Sequence, residues 1–283
     1  MMKIGLTGWG DHDDLYPERL PSHEKLKEYS KHFQTVEVDS SFYAIQPVRN
    51  YEKWVHETPD DFEFVVKAYQ GMTGHQRGKI PFVSEKEMFS AFVQSVQPLV
   101  EANKLAMVLF QFPPWFVCTK DSVNVLRKVK RFVGHLPLAL EFRHQSWFLP
   151  QYREQTLQFM KEEGWIHSIC DEPQAGLGSV PTVLEVTNQV KTLIRLHGRN
   201  VDGWIDPGDG TWRDVRYLYD YSTEELSDWV RWIKELQKET NELHVLFNNN
   251  SGGDAAKNAK ELQRLFGETP RTFAPRQISL FEE

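Results

Sequence analysis

Only two cysteines occur in the 283 residues, Cys118 and Cys170, and their separation does not match a zinc-binding spacing. So few cysteines exclude a disulfide-stabilised scaffold and fit a reducing compartment. No apolar run reaches the ~18–20 residues of a membrane span, and the opening Met-Met-Lys-Ile-Gly-Leu does not follow the pattern of a signal peptide. These absences predict a cytoplasmic protein in which both thiols are structural.

An excess of positive charge is also absent, since the formal net charge is −7. General binding of polyanions by the whole surface is therefore excluded, and recognition of a nucleic acid would need a local basic patch. No Gly-x-Gly-x-x-Gly motif follows the first predicted strand. This absence disfavours a dinucleotide-binding open sheet.

The sequence does contain a regular alternation of strand-like and helix-like segments. The predicted strands cover residues 3–9, 35–40, 62–68, 104–112, 137–143, 165–170, 192–198 and 243–248. The predicted helices cover residues 22–33, 47–57, 84–103, 121–133, 150–163, 182–189, 222–240 and 254–266. Repeated strand–helix units imply a parallel sheet, and eight of them imply a closed barrel.

We therefore predict a single α/β domain, a (β/α)8 TIM barrel over residues 1–267. An aromatic insertion at 199–221 follows strand 7, and an extended C-terminal tail covers 268–283. An open doubly wound sheet is the alternative architecture.

Residues 137–143 indicate where the functional site lies. Apolar side chains at positions 138, 140 and 142 alternate with a set that ends in Glu141 and Arg143. Because successive side chains of a strand point to opposite faces, one face is apolar and the other carries both charges at its C-terminal end. Barrel enzymes place their active sites at this end of the strands.

The same two-residue period collects polar side chains from the other strands onto the barrel axis, and the following loops add further candidates. The predicted catalytic residues are Glu141, His197, Lys67 and Asp171; the predicted substrate-binding residues are Arg143, Arg195, Gln111, Asn248, Tyr43, Asp39, His75, Trp147 and Arg199. Charged residues are rarely buried without a partner, so structural alternatives stay open. Glu37 would then only neutralise a cation inside the barrel, Asp171 would order a loop, and the aromatic insertion would pack as a lid.

The residue types at this ring suggest specific chemistry. Arg143, Arg195 and Lys67 can hold a phosphate or carboxylate, while Glu141 and His197 can exchange protons. Lys67 in an apolar barrel is also a candidate Schiff-base nucleophile if its pKa is depressed. Thus the ring predicts an anionic substrate.

A divalent metal held by Glu141, Asp171 and His197 is an alternative. Three cations on the same rim work against a dication, and no His-x-x-x-His pattern occurs. We therefore assign no metal ligand, and the cofactor stays undetermined.

The chain resembles the YecE-like family, domain of unknown function 72, along almost its whole length. The motifs that carry this resemblance lie at 5–10, 36–43, 64–68, 109–116, 141–147, 195–199, 217–221 and 247–250. The resemblance implies a TIM barrel and no established activity. Asp39 stands where the family usually has Asn, and Gly74 separates Thr73 from His75, which the family tends to keep adjacent. The barrel expected from this family is also similar to those of endonuclease IV and the sugar isomerases.

The end of the tail, Gln277-Ile-Ser-Leu-Phe281, resembles the short peptide by which bacterial replication and repair proteins dock on the sliding clamp. Leu280 and Phe281 would enter an apolar groove, and Gln277 would form a hydrogen bond at its edge. The alternative is a tail that packs on its own barrel.

Together these features predict a hydrolase or lyase that acts on a phosphate-bearing substrate, with nucleic-acid processing or repair as a candidate setting. A sugar or sugar-phosphate isomerase or hydrolase is one alternative. A non-catalytic ligand-binding barrel tethered to the clamp is another.

The tail hypothesis makes a direct prediction. A peptide covering residues 272–283 should bind a bacterial sliding clamp in a fluorescence-polarisation titration, and Phe281→Ala should weaken this binding at least ~10-fold because an apolar anchor is lost. Substitution of Arg276 by alanine, just outside the motif, serves as the control. Equal affinities of the Phe281 and Arg276 variants would contradict the hypothesis.

Overall fold

The fold is a closed barrel of eight parallel strands in chain order. The computed structural model describes residues 1–76, 78–204 and 212–267. The strands are β1 (Met2–Thr7), β2 (Thr35–Val38), β3 (Glu63–Lys67), β4 (Leu105–Gln111), β5 (Leu138–Glu141), β6 (Ile166–Asp171), β7 (Lys191–Leu196) and β8 (Glu242–Phe247). Because β1 pairs with both β2 and β8, the sheet has no free edge. The predicted (β/α)8 TIM barrel is confirmed.

Helices surround this barrel. They are α1 (Lys25–Tyr29), α2 (Ser40–Tyr43), α3 (Val48–Glu57), α4 (Glu85–Glu101), α5 (Lys120–Val133), α6 (Arg153–Glu162), α7 (Val201–Trp204), α8 (Trp212–Val215), α9 (Thr223–Leu236) and α10 (Asp254–Leu265). The side chains of Ser84, Thr119 and Ser222 each accept a hydrogen bond from the backbone N–H of the third residue of α4, α5 and α9. Among these described helices, none is long and apolar enough to cross a bilayer.

The helix expected near 182–189 does not form, and that prediction is wrong. The segment is irregular and lies against β6. The Thr187 hydroxyl donates to the Trp165 carbonyl and accepts from the His167 N–H, both at 2.8 Å. Because Thr187 and its β-branched neighbours lose side-chain freedom in a helix, this bonding to the start of β6 is favoured instead.

Two apolar layers follow from the alternation along each strand. Val36, Val38 and Leu140 face the surrounding helices. The opposite set fills the barrel interior: Val65, Ala106, Met107, Leu109, Ala139, Ile166, Leu193 and Leu246. Inside the barrel, charged side chains therefore lie only at the two ends of the axis, among the residues that the structure describes.

Ion pairs occupy the N-terminal end. This basal cluster consists of Lys3, Glu63, Lys191, Glu242 and His244. Nζ of Lys3 lies 2.6 Å from a Glu63 oxygen, and Nζ of Lys191 bridges Glu63 and Glu242 at 3.2 and 3.1 Å. These contacts leave the C-terminal mouth as the end where an active site is expected.

The close approach of β1 and β2 gives a prediction about stability. A Cβ atom on Gly5 would lie 1.9 Å from the Thr35 carbonyl oxygen, so Gly5→Ala must separate the two strands. We expect destabilisation by about 2 kcal/mol or more, seen as a lower midpoint of urea unfolding. Gly10→Ala is the matched control, because no atom lies within 4 Å of its added Cβ. Identical midpoints for the two variants would contradict this account.

Candidate active site

A buried charged network lies at the C-terminal mouth of the barrel. We call it the mouth network, and its members are Glu37, Glu141, Arg143, Glu172, Arg195 and His197. Each member is at most 2% exposed. The strands β2, β5, β6 and β7 supply these side chains from their C-terminal ends, so the predicted convergence of strand-end residues does occur.

Glu141 is the centre of the mouth network. Nη1 of Arg195 donates to both Glu141 oxygens at 3.0 and 2.7 Å, and Nε of Arg143 donates to one of them at 2.7 Å. The Ser168 hydroxyl adds a third donor at 3.0 Å. Burial alone would raise the pKa of Glu141, but Arg195 and Arg143 hold it well below its usual range. Glu141 is therefore a permanent carboxylate.

The other edge of Arg195 is also occupied. Its Nε and Nη2 donate to the two Glu37 oxygens at 2.9 and 2.7 Å. A guanidinium with both edges on carboxylates has no edge left for a substrate anion. The predicted role of Arg195 as an anion ligand therefore does not fit the structure, whereas the structural alternative for Glu37 does.

The ring of His197 is a neutral acceptor. Nη2 of Arg143 and Nη1 of Arg195 lie 3.2 and 3.4 Å from Nε2, and a guanidinium can only donate. The ring proton is therefore on Nδ1, and the Asn248 amide, 2.8 Å away, must turn its oxygen toward the ring. Burial, followed by Arg143 and Arg195, lowers the pKa of His197 well below its usual range. Proton exchange by Glu141 and His197 does not fit these ionisation states.

Glu172 is the residue that the sequence prediction missed. Its carboxylate accepts from Nη1 of Arg143 at 2.8 Å and from the Val180 N–H at 2.6 Å. Burial raises the pKa of Glu172 to about 7, although Arg143 opposes this shift. In β6 the axis-facing residues are 166, 168 and 170, and the same period places 172 with them, so the two-residue pattern could have found it.

Lys67 and Asp39 form a pair at the outer rim. Nζ of Lys67 lies 2.8 Å from Oδ1 of Asp39 and 4.7 Å from the centre of the Phe42 ring. Burial alone would lower the pKa of Lys67, but Asp39 and Glu37 raise it overall. The depressed amine pKa needed for a Schiff-base nucleophile is therefore not present.

Aromatic rings continue the rim beside this pair. The Phe42 ring contacts Tyr43 and His75, with centroids 5.3 and 5.0 Å apart, and the His75 ring lies 5.8 Å from Trp115. Tyr43 and Trp115 are 60% and 52% exposed. Burial, then the charges of Lys67 and Arg143, lowers the pKa of His75 to about 4.

Asp171, Arg199 and Trp147 lie away from the mouth network. Asp171 ends β6 on the outward face, where it accepts from Arg199, Tyr221 and Trp229. Arg199 also donates to Glu225 at 2.9 Å. Trp147 is buried, donates to the Phe116 carbonyl and stacks on Phe142 at 4.0 Å. Their positions support structural roles.

The remaining predicted residues are divided between the mouth and the tail. Gln111 is half-buried and lies opposite Glu141 in the β4–β5 register. The tail residues Gln277, Leu280 and Phe281 lie outside the described residues.

The donor set at the mouth does not fit a dication. Ligand atoms of Glu141, Cys170 and His197 lie within 4.8 Å of one another, so Cys170 rather than Asp171 completes the cluster. The lone pairs of Glu141 and His197 already accept from Arg143 and Arg195. Burial also raises the pKa of the Cys170 thiol well above its usual range, and metal binding needs the thiolate. A metal would have to displace two paired arginines.

Comparisons with known proteins agree with the barrel. The family model "Protein of unknown function DUF72" matches residues 3–279. The UPF0759 protein YunF of Bacillus subtilis (strain 168) is 61% identical over 282 residues, which are 99% of this chain and 100% of that protein. The UPF0759 protein YecE of Escherichia coli (strain K12) is 27% identical over 161 residues, covering 56% of this chain and 54% of that protein.

Two solved structures of DUF72 family proteins are similar to this chain. The Enterococcus faecalis V583 protein has a TM-score of 0.92 and 39% identity, over 99% of this chain and 100% of that one. The Thermotoga maritima MSB8 protein has a TM-score of 0.81 and 32% identity, over 95% and 100%.

The raised pKa of Glu172 predicts a pH dependence of stability. The folded chain keeps a proton up to a pH of about 7, whereas an ordinary glutamate loses it near 4.5. The folded state therefore binds more protons between these values, and the free energy of unfolding should fall as the pH rises through this window, by about 3 kcal/mol for this group.

Glu172→Gln should remove this contribution. We expect urea unfolding to show the variant gaining about 3 kcal/mol relative to the parent between pH 4.5 and pH 8. Glu185→Gln, at a partly exposed carboxylate paired with Lys161, is the control for the substitution itself. A constant difference for the Glu172 variant would refute the raised pKa.

Proposed function

This chain belongs to the DUF72 family of proteins of unknown function, and we propose that it is a hydrolase or lyase that acts on a phosphate-bearing substrate at the C-terminal mouth of its barrel. The observation that carries this proposal is the Glu172 carboxyl group, with a pKa of about 7, held by Arg143 beside a permanently ionised Glu141. Two carboxylates with separated pKa values are a common arrangement for proton transfer.

In this proposal Glu172 is the proton-exchanging group. A carboxyl group whose pKa lies near the working pH can donate a proton to a leaving oxygen and take one from water. Arg143 donates to Glu141, Glu172 and the His197 ring, and these three contacts hold its guanidinium in one orientation. Arg143 therefore positions Glu172.

Lys67 is the cation proposed to bind the phosphate. It is protonated, its side chain is 13% exposed, and Asp39 accepts one of its three N–H bonds. By contrast, Arg195 has carboxylates on both edges. Lys67 can therefore offer a positive charge to a substrate phosphate, whereas Arg195 in the mouth network cannot.

Nucleic-acid processing is a narrower form of this proposal. The exposed rings of Tyr43 and Trp115 are joined to Lys67 through Phe42 and His75, and they could stack on bases next to a bound phosphate. The net charge of −7 restricts such binding to this local site. Docking on a sliding clamp through the tail is a separate proposal.

A non-catalytic barrel that only binds an anion is the second candidate. It is favoured by the closed set of contacts among Glu37, Arg195 and Glu141, which satisfies buried charges without a substrate. Loss of turnover without loss of binding separates the two candidates. A sugar-phosphate isomerase would differ from both, since its product keeps the phosphate and all its atoms.

The test uses full-length protein and a panel of phosphomonoesters, phosphodiesters and sugar phosphates followed by ³¹P NMR. Glu172→Gln should lower kcat on the active substrate at least ~100-fold because proton transfer is lost. Lys67→Met should weaken inorganic phosphate binding ~10–100-fold in calorimetry because a charged contact is lost.

Matched controls are Glu185→Gln and Lys53→Met, at partly exposed, paired positions away from the mouth. The proposal fails if the parent protein neither binds phosphate nor changes any member of the panel. It also fails if the Glu172 variant keeps full turnover.

A further inference from the structure

Arg216 lies in a cage of aromatic rings beside the mouth network. Its guanidinium carbon is 4.2 Å from the centre of the Trp212 ring, 4.4 Å from Trp204 and 5.3 Å from Tyr217. The Trp204 and Tyr217 rings lie 6.4 and 6.0 Å from the His197 ring. The cage therefore stands over the end of β7.

The charge of Arg216 is compensated differently from that of Arg143, Arg195 and Arg199 at the same end of the barrel. Arg143, Arg195 and Arg199 each contact two carboxylates. Within the part of the chain that the structure describes, no ion pair joins Arg216 to a carboxylate and its buried Nε has no hydrogen-bond partner. Burial lowers the pKa of Arg216, and Arg143 is a nearby like charge. Glu172 and Glu141 raise the pKa of Arg216 from beyond ion-pair distance, so within the described residues this cation has no carboxylate in direct contact.

The cage also determines how an anion could reach this guanidinium. Three rings surround the guanidinium carbon of Arg216, so an anion can bind only through hydrogen bonds from its N–H groups. The N–H fork of arginine matches two oxygens of a phosphate. Trp204 also contacts Arg143 at 5.5 Å, which brings the caged side chain toward the proposed site of chemistry.

Lys67 and Arg216 belong to opposite sides of the mouth. Lys67 ends β3, and Arg216 follows β7. In the closed order β1 to β8 these two strands are four positions apart, which is the largest separation in an eight-stranded barrel. Arg143, which follows β5, lies between them. Its charge lowers the pKa of His75 on the Lys67 side and the pKa of Arg216 on the other side. Two separate cations thus flank one mouth.

We propose that Arg216 binds a second phosphate group, so that the substrate carries two phosphates held at opposite sides of the mouth by Lys67 and Arg216. This inference rests on the proposed function and narrows its substrate class. The same chemistry occurs in a small bisphosphorylated metabolite and in successive phosphates of a single nucleic-acid strand.

The experiment compares ligands with one and two phosphates on the full-length protein. Calorimetry gives Kd for fructose 6-phosphate, fructose 1,6-bisphosphate, thymidine 5′-monophosphate and a 5′-phosphorylated dithymidine strand with two phosphates, at one fixed ionic strength. The parent should bind the two-phosphate member of at least one pair ~10–100-fold more tightly than the one-phosphate member. The preferred pair tells whether the source is a small molecule or a strand.

Arg216→Met should reduce this preference to within about twofold while leaving the one-phosphate affinity nearly unchanged, because methionine fills the cage without charge. Arg216→Lys keeps the positive charge and should retain part of the preference for two phosphates. This result would show that the loss in Arg216→Met is not caused by a packing defect. Arg231→Met removes the same charge from a side chain that is 73% exposed, and it should change neither affinity.

Failure of this inference differs from failure of the proposed function. If one-phosphate ligands bind through Lys67 but two phosphates give no advantage, or the advantage survives in Arg216→Met, the second phosphate site is refuted. An equal loss of one-phosphate binding in the Lys67 and Arg216 methionine variants would also refute it, since both cations would then share one anion. Absence of all phosphate binding refutes the proposed function itself.

Discussion

The double contact of Glu141 with Arg143 and Arg195 is the interaction on which the rest of the mouth depends. A carboxylate and two guanidiniums inside a barrel lose their hydration, and only mutual pairing offsets that cost. Each arginine then needs a further acceptor, which Glu37 supplies for Arg195 and Glu172 supplies for Arg143. Burial is the first cause of the shifted pKa values of Glu172 and His197; the paired arginines lower the pKa of His197 further and oppose the rise at Glu172.

The barrel stabilises these buried charges by placing them in two separate groups at the two ends of its axis. Eight apolar side chains fill the interior between the basal cluster and the mouth network. The two charged groups are thus kept apart by low-dielectric packing, and each must be balanced locally. Such local balance explains why the two cations that keep donors unpaired among the described residues, Lys67 and Arg216, lie at the rim and not in the centre.

The extent of sequence-based prediction was set by a single geometric rule. Alternation along the strands correctly placed Glu141, Arg195 and His197 on the axis, because the rule is local and a closed barrel has one axis. It does not place Asp171 correctly, because the predicted strand ends at residue 170, whereas β6 extends to Asp171 and turns it outward. The same extension carries Glu172 inward. The rule also carried no information about Trp147, whose loop folds back into the core.

By itself the sequence determined the barrel, its eight strands and the axis-facing positions of Glu141, Arg195 and His197, since these follow from periodicity and from the connection of each strand to the next. Only the tertiary structure decided which charges pair, which proton positions result and which cation keeps a free edge. Those properties depend on distances between strands far apart in the chain, such as the 2.7 Å contact of Arg195 with Glu37. Pairing across 158 positions leaves no local pattern, because any carboxylate on the axis could have met that arginine.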